Sequence, residues 1–162
     1  MTEWIREVDK NDRVLRLRPR SEFYTGELIH RAVHLILLNS RSQILLQKRA
    51  ARKRWYPSLY DFAVGGTVGD ESYKTRIKRE IGEELGVSIP VKKAFKYFTT
   101  DPGKDSAFRV VFVGRAEQEL IPNEERESLR WFSQEELKED IAQNPRNYTP
   151  HLIKGLEIFF KI

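Results

Sequence analysis

The stretch Gly65 to Val87, GGTVGDESYKTRIKREIGEELGV, runs from two glycines straight into a segment dense in glutamate and arginine. Placed on a helix at roughly 100° per residue, Glu80, Glu83 and Glu84 fall within an arc of about 100°, so three carboxylates project toward one place. The same helix carries an apolar stripe of Tyr73, Ile77, Ile81 and Leu85. With Glu80 at zero, these four lie at roughly 20°, 60°, 100° and 140°, and Glu84, near 40°, falls inside the stripe. An ionised carboxylate buried there alone would cost several kcal/mol, so it is expected to be protonated, paired with a base or bound to a metal. Arg76 and Arg79 flank the acids and can neutralise part of their charge. Asp70 is the expected N-cap, and Gly86 suits the left-handed position that ends a helix. Gly82, in mid-helix, costs about 1 kcal/mol relative to alanine, which implies close approach of backbone or ligand at that point.

A solvated, salt-bridged helix face is the ordinary reading of a Glu/Arg cluster. It fits poorly here, because charges that only solubilise a helix avoid its apolar stripe and need no glycine-rich loop ahead of them. Three carboxylates crowded on one arc call for a cation, and the spacing points to a metal or phosphate site.

These residues resemble the Nudix box, the motif of hydrolases that cleave a nucleoside diphosphate linked to another moiety. Gly65, Glu71, Arg79, Glu80, Ile81, Glu83, Glu84, Gly86 and Val87 occupy its fixed positions. One departure is visible: many members place the box glycine second in a Gly-Gly pair, whereas here Gly66 stands one residue nearer Glu71. This shortens the loop Thr67 to Asp70 and leaves the helix register intact. Flanking segments extend the resemblance over most of the chain: IHRAVHLILLN, ILLQKR, the loop with Trp55, Tyr56, Pro57 and Tyr60, then ERESLRWF (Glu125 to Phe132), SQEEL and NYTP. Together they are similar to a branch near the type I isopentenyl-diphosphate isomerases.

The resemblance implies an α/β protein, an α/β/α sandwich around a mixed β-sheet, in one domain spanning 1–162 with residues 1–28 as an extension. It implies Mg²⁺ or Mn²⁺ held by Glu80, Glu83 and Glu84. Hard cations of this kind take oxygen ligands and leave places for water and substrate phosphate. Glu83, Glu84 and Arg79 are the implied catalytic set: a carboxylate deprotonates the attacking water while Arg79 orients the glutamates by ion pairing. Glu71 fixes the loop or reaches the metal through water. Glu125 stands where the branch carries a further glutamate, although a surface place beside Glu124 and Glu127 reads equally well.

Outside the box, Lys48, Arg49 and Lys53 are candidate phosphate ligands, although basic residues at a strand end are more often merely solvated, and Trp55, Tyr56 and Tyr60 could stack on a ring or pack a loop. His30 matches a metal-binding histidine of the isomerases, but a lone histidine opening a strand is more often structural. His34 and His151 have no acid or nucleophile near them in sequence and receive no role. Isomerase chemistry needs a protonating cysteine, which those enzymes carry where this chain has Ala63-Val64-Gly65, and the chain has no cysteine at all. The leading expectation is therefore a metal-dependent hydrolase of a diphosphate linkage in a nucleoside diphosphate derivative or similar small phosphorylated metabolite. An isomerase-like protein and a noncatalytic ligand- or RNA-binding module stand as alternatives.

Composition agrees. The absence of cysteine excludes disulfides, thiolate metal sites and thiol nucleophiles. With 162 residues, 40% of them hydrophobic, the chain suits one domain with a substantial core. The N-terminus lacks an apolar signal region, and no apolar run approaches the ~20 residues that span a bilayer, so a cytoplasmic protein is expected. A formal charge of +5 favours anionic small molecules without singling out nucleic acid. A homodimer is compatible with the sequence, which holds no feature that decides it.

Residues 3–19 are predicted as a hairpin turning at Lys10-Asn11-Asp12, packed on the main domain. Strands are predicted at 31–38, 43–49, 91–100 and 107–116, the first covered on both faces. Two further helices follow, one capped by Ser133 with Glu136, the other by Thr149 with Pro150 at its first position.

Overall fold

The computed structural model describes residues 2–116, 120 and 126–162, with the backbone alone at 126 and 127. β1 (Trp4–Val8) and β2 (Val14–Pro19) form the expected antiparallel hairpin. Its turn is built by aspartates: Asp9 Oδ1 accepts the amides of Asn11 at 2.8 Å and Arg13 at 3.0 Å, and Asp12 takes a left-handed φ of 62°. Asp12 is also a hub. Its carboxylate accepts Arg31 Nε at 2.7 Å, the Tyr73 hydroxyl at 2.8 Å and Lys96 Nζ at 3.0 Å, and its carbonyl accepts Arg31 Nη2 at 2.7 Å. Burial would raise its pKa, but these donors outweigh burial and hold the carboxyl below its ordinary range.

The main sheet has seven strands among the described residues: β3 (His30–Leu38), β4 (Ile44–Arg49), β5 (Tyr60–Phe62), β6 (Val64–Thr67), β7 (Val91–Asp101), β8 (Asp105–Arg115) and β9 (Arg126–Phe132). Their order is β5-β4-β3-β8-β7, with β6 on β3 and β9 on β4. β3 and β8 run parallel and the other pairs antiparallel, so the sheet is mixed. The short β5 and β6 carry no alternation of their own that sequence reading could find; pairing with β4 and β3 creates them.

Alternation along β3 explains its nearly continuous apolar run. Val33, Leu35 and Leu37 enter one core with Ile77, Ile81 and Leu85 of α1 (Tyr73–Leu85). Ile36 and Leu38 enter the other, with Leu137 of α2 (Gln134–Gln143) and Leu152 and Leu156 of α3 (Pro150–Phe159). Helices therefore cover both faces, the α/β/α arrangement expected. Ser133 Oγ accepts the Glu136 amide at 3.1 Å, and Thr149 Oγ1 accepts that of Leu152 at 3.3 Å, so both predicted caps are present. Gly86 ends α1 at φ 70°.

Two expectations for α1 are corrected. Its N-cap is Ser72, whose Oγ accepts the Thr75 amide at 3.1 Å. Asp70 lies too far upstream and instead accepts Arg6 Nη2 from β1 on its carbonyl at 2.8 Å and its carboxylate at 3.0 Å. Gly82 faces open space: a Cβ added there would meet nothing within 4 Å, so no close approach requires glycine.

Candidate active site

A cleft of about 680 Å³ opens between α1 and the end of the sheet that carries His30, Ala32 and His34. The box carboxylates Glu80, Glu83 and Glu84 line one wall. Glu80 lies deepest, 7% exposed, whereas the side chain of Glu83 is 62% exposed and Glu84 is half-buried. Angular position alone had put Glu84 at the buried place. The difference comes from Gly66 of β6, where an added Cβ would sit 2.7 Å from Glu80 Cδ, so a bare backbone lets the Glu80 side chain lie against the strand. Glu84 Oε2 accepts the Gly65 amide at 3.2 Å.

The cation that this crowding demands is supplied partly by arginine. Arg76 Nη2 lies 2.5 Å from Glu80 Oε1, and Arg76 Nη1 donates to Glu71 Oε1 at 3.1 Å. Arg79 Nη2 donates to the same Glu71 oxygen at 3.0 Å and reaches Glu83 only at 3.9 Å. Glu71 thus ties both arginines to the loop before α1, and Arg76 is the residue that holds Glu80. Burial raises the Glu80 pKa, Arg76 opposes it and Glu83 adds to it.

The donor set can be tested against the divalent cation that the fold implies. Among the described residues no three acidic or histidine side chains are already gathered as a ligand cluster. The groups are nevertheless right: oxygen donors only, one buried carboxylate seated in a glycine cradle, and two neighbours on the next turn that line the same cleft. They fit a hard cation.

The facing wall is a buried network. Arg109 of β8 donates through Nη2 to Asp105, through Nε to Thr99 Oγ1 at 2.7 Å, and through Nη1 to His34 Nε2 at 2.9 Å. His30 Nε2 lies 2.6 Å from Asp105 Oδ1, an attachment that accords with the structural reading of that histidine. Asp61 accepts His151 Nε2 at 2.9 Å, Arg49 Nη1 at 3.2 Å, the Phe62 amide at 2.8 Å and Thr149 Oγ1 at 3.2 Å. The His34 ring stacks on Phe62, centroids 4.4 Å apart, and on His151 at 5.4 Å. Burial pushes the Asp61 pKa up, but His151 and then Arg49 outweigh it and hold the carboxyl well below the ordinary range. Burial keeps His151 below its ordinary value despite Asp61.

Sequence reading gave His34 and His151 nothing and did not single out Asp61, Asp105 or Arg109. A signal existed for three of them: His34, Asp61 and Arg109 are polar residues interrupting apolar runs, in AVHLIL, YDFAV and FRVVFV. Arg49 and Lys53 line the cleft as expected, with Trp55 and Tyr56; Lys48 does not. Tyr60 is corrected. Alternation along β5 sends Asp61 to the cleft and turns Tyr60 with Phe62 into the second core, where Tyr60 packs against Phe132 and Tyr148. Glu125 lies outside the described residues. Glu3, Ile5, Arg20, Phe23 and Tyr24 of the N-terminal extension complete the rim, and the Arg54 guanidinium sits 4.6 Å above the Tyr24 ring.

The NUDIX domain family matches residues 28–152, leaving outside it most of the extension that carries the hairpin. The chain belongs to the Nudix family, and its class is that of hydrolases cleaving diphosphate linkages. Over 162 aligned residues it is 45% identical to the prenyl-diphosphate phosphatase of Methanosarcina mazei, covering 97% of this chain and 95% of that protein. It is 30% identical to isopentenyl-diphosphate Delta-isomerase 2 of Photorhabdus laumondii, over 92% of this chain and 89% of that one. Among solved structures, DR0079 of Deinococcus radiodurans matches with a TM-score of 0.75 at 25% identity, covering 88% of this chain and 90% of that chain. No helix among the described residues is long and apolar enough to cross a membrane.

Proposed function

We propose that the chain, as one Nudix unit with an N-terminal extension, hydrolyses the diphosphate of a small organic diphosphate, with prenyl diphosphates ahead of nucleoside diphosphate derivatives. One observation carries the reading: Glu80, Glu83 and Glu84 line the same cleft as Arg49, Lys53 and Lys104, so carboxylates suited to a cation and basic groups suited to phosphate share it. The identity to a prenyl-diphosphate phosphatase supports the choice of substrate.

Glu80, Glu83 and Glu84 would hold Mg²⁺ or Mn²⁺, which when bound polarises phosphoryl oxygens and acidifies water. Arg76 holds Glu80 in place and opposes the rise that burial gives its pKa. Glu84, oriented by the Gly65 amide, is placed to accept the proton of the attacking water. The water oxygen bonds to phosphorus as the bridging P–O bond breaks, and Arg49, Lys53 and Lys104 balance charge on the phosphates. The isomerase reading has no support at Gly65: the segment where isomerases carry their cysteine places a backbone amide in the cleft and no proton-donating side chain.

The test is phosphate release from prenyl diphosphates, nucleotide sugars, dinucleoside polyphosphates and nucleoside triphosphates, in Mg²⁺ and in Mn²⁺, with Glu84→Gln as control. Hydrolysis of a prenyl diphosphate yields inorganic phosphate directly, whereas an internal diphosphate bridge yields none until a coupling phosphatase is added. Metal-dependent release without coupling, lost in Glu84→Gln, is expected. Release only with coupling would move the substrate to the nucleoside derivatives, and no release anywhere would sink the hydrolase.

A further inference from the structure

Among the described residues, three buried side-chain atoms have no hydrogen-bond partner: His34 Nδ1, Trp55 Nε1 and Arg76 Nε. All three belong to residues that line the cleft. The indole and guanidinium nitrogens can only donate. His34 Nδ1 joins them by its tautomer. Arg109 Nη1, itself only a donor, lies 2.9 Å from His34 Nε2, so that nitrogen accepts and the ring proton sits on Nδ1. Buried polar groups in proteins are overwhelmingly matched, and three unmatched donors on residues of one cleft are groups that an oxygen-rich ligand would satisfy.

The clearest of the three is His34, which is 5% exposed. Its Nδ1 faces Gly65, where an added Cβ would lie 2.9 Å away. Only glycine at 65 therefore avoids pressing a side chain onto that nitrogen. The nitrogen adjoins the carboxylate wall, because the Gly65 amide binds Glu84 Oε2.

Resting on the hydrolase reading above, we propose that His34 binds substrate: its Nδ1–H donates to a non-bridging oxygen of the phosphoryl group, and Arg109 is the positioning residue that fixes the tautomer. The ring acts as a neutral donor. Burial first, then Arg109 from β8 and His151 from α3, keep it uncharged, and Asp61 of β5 and Asp105 of β8 oppose them without prevailing. His34 thus recognises the oxygen by direction and adds no further full charge to the cleft.

The test uses the whole protein labelled with ¹⁵N at histidine, titrated with methylenediphosphonate, a non-hydrolysable diphosphate, in Mg²⁺. Ring nitrogens are read by long-range ¹H–¹⁵N correlation, and saturation is read separately from the ³¹P signal. His34 is expected as the Nδ1–H tautomer throughout, its Nδ1 resonance moving with saturation and its Nε2 resonance little changed. An Nε2–H tautomer, or an Nδ1 resonance that stays still at saturation, overturns the proposal. In kinetics, His34→Asn, whose amide can place an N–H where Nδ1 stands, should keep KM within about threefold, whereas His34→Gln should raise KM roughly 10- to 100-fold with little change in kcat. Equal losses in the two variants, or none, overturn it. Failure of the hydrolase reading looks different, since there the wild-type protein itself releases no phosphate, and the ring-nitrogen titration then decides the donor role by itself.

Discussion

The α1 wall of the cleft takes its charged groups from residues 71–84, one loop and one helix, whereas the facing wall takes His34, Arg49, Asp61, Arg109 and His151 from five different elements. The first wall is partly open: Glu83 is mostly exposed, and Arg79 holds Glu71 from a half-exposed position. The second is buried, and each charge on it meets a named counterpart. The contrast separates two tasks. Under the proposed function, the carboxylates that would meet an ion and water stand on the more open wall, while the groups that would orient a diphosphate are already held by one another.

The sharpest way to break this contrast is to remove charge from the open wall. Glu84→Gln or Glu83→Gln should lower turnover about 100- to 10,000-fold, with thermal unfolding nearly unchanged. Full activity in both would mean that the α1 wall is not where the reaction occurs. Next comes the seat of Glu80. Gly66→Ala puts a Cβ against the carboxyl and should cost turnover on the order of 100-fold through misplacement, read as a loss of kcat at unchanged secondary structure.

On the locked wall the effect should appear as stability. Asp61→Asn leaves Arg49 and His151 short of a buried counter-charge and should destabilise the fold by about 3 kcal/mol at neutral pH, measured by denaturant unfolding. The sign in acid follows from the depressed pKa. The folded value lies below the unfolded value of about 4, so the contribution is complete above roughly pH 5 and is lost as pH falls toward the folded value. The wild type should therefore weaken on acidification more steeply than Asp61→Asn. The smallest effect belongs to Gly82→Ala, which should stabilise α1 by about 0.5–1 kcal/mol and leave turnover alone, because nothing stands within 4 Å of the added methyl.

The open wall was legible in the sequence because a helix converts spacing into direction. Glu80, Glu83 and Glu84 could be placed on one face without knowing any partner. Even there, the depth of Glu80 was missed, since it depends on Gly66 in a strand that pairs with β3 at Val33. The locked wall was illegible for the same kind of reason throughout. His34 and Arg109 stand 75 positions apart and meet only because β3 and β8 pair in parallel, with His34 level with Val111. No local pattern encodes that register. The core followed from alternation and the caps from single residues, so the layers were readable while the orientation of Tyr60 and Asp61 across β5 was not.

The Asp12 hub has a practical consequence for anyone handling the molecule. Its carboxylate grips Arg31 of β3, Tyr73 at the start of α1 and Lys96 of β7, so the hairpin turn is a clasp closing three parts of the body at once. A cut in that turn, or a purification handle that strains it, would be felt at the first turn of the helix that carries the glutamates, so a preparation would lose activity through damage done some sixty positions upstream of that helical turn.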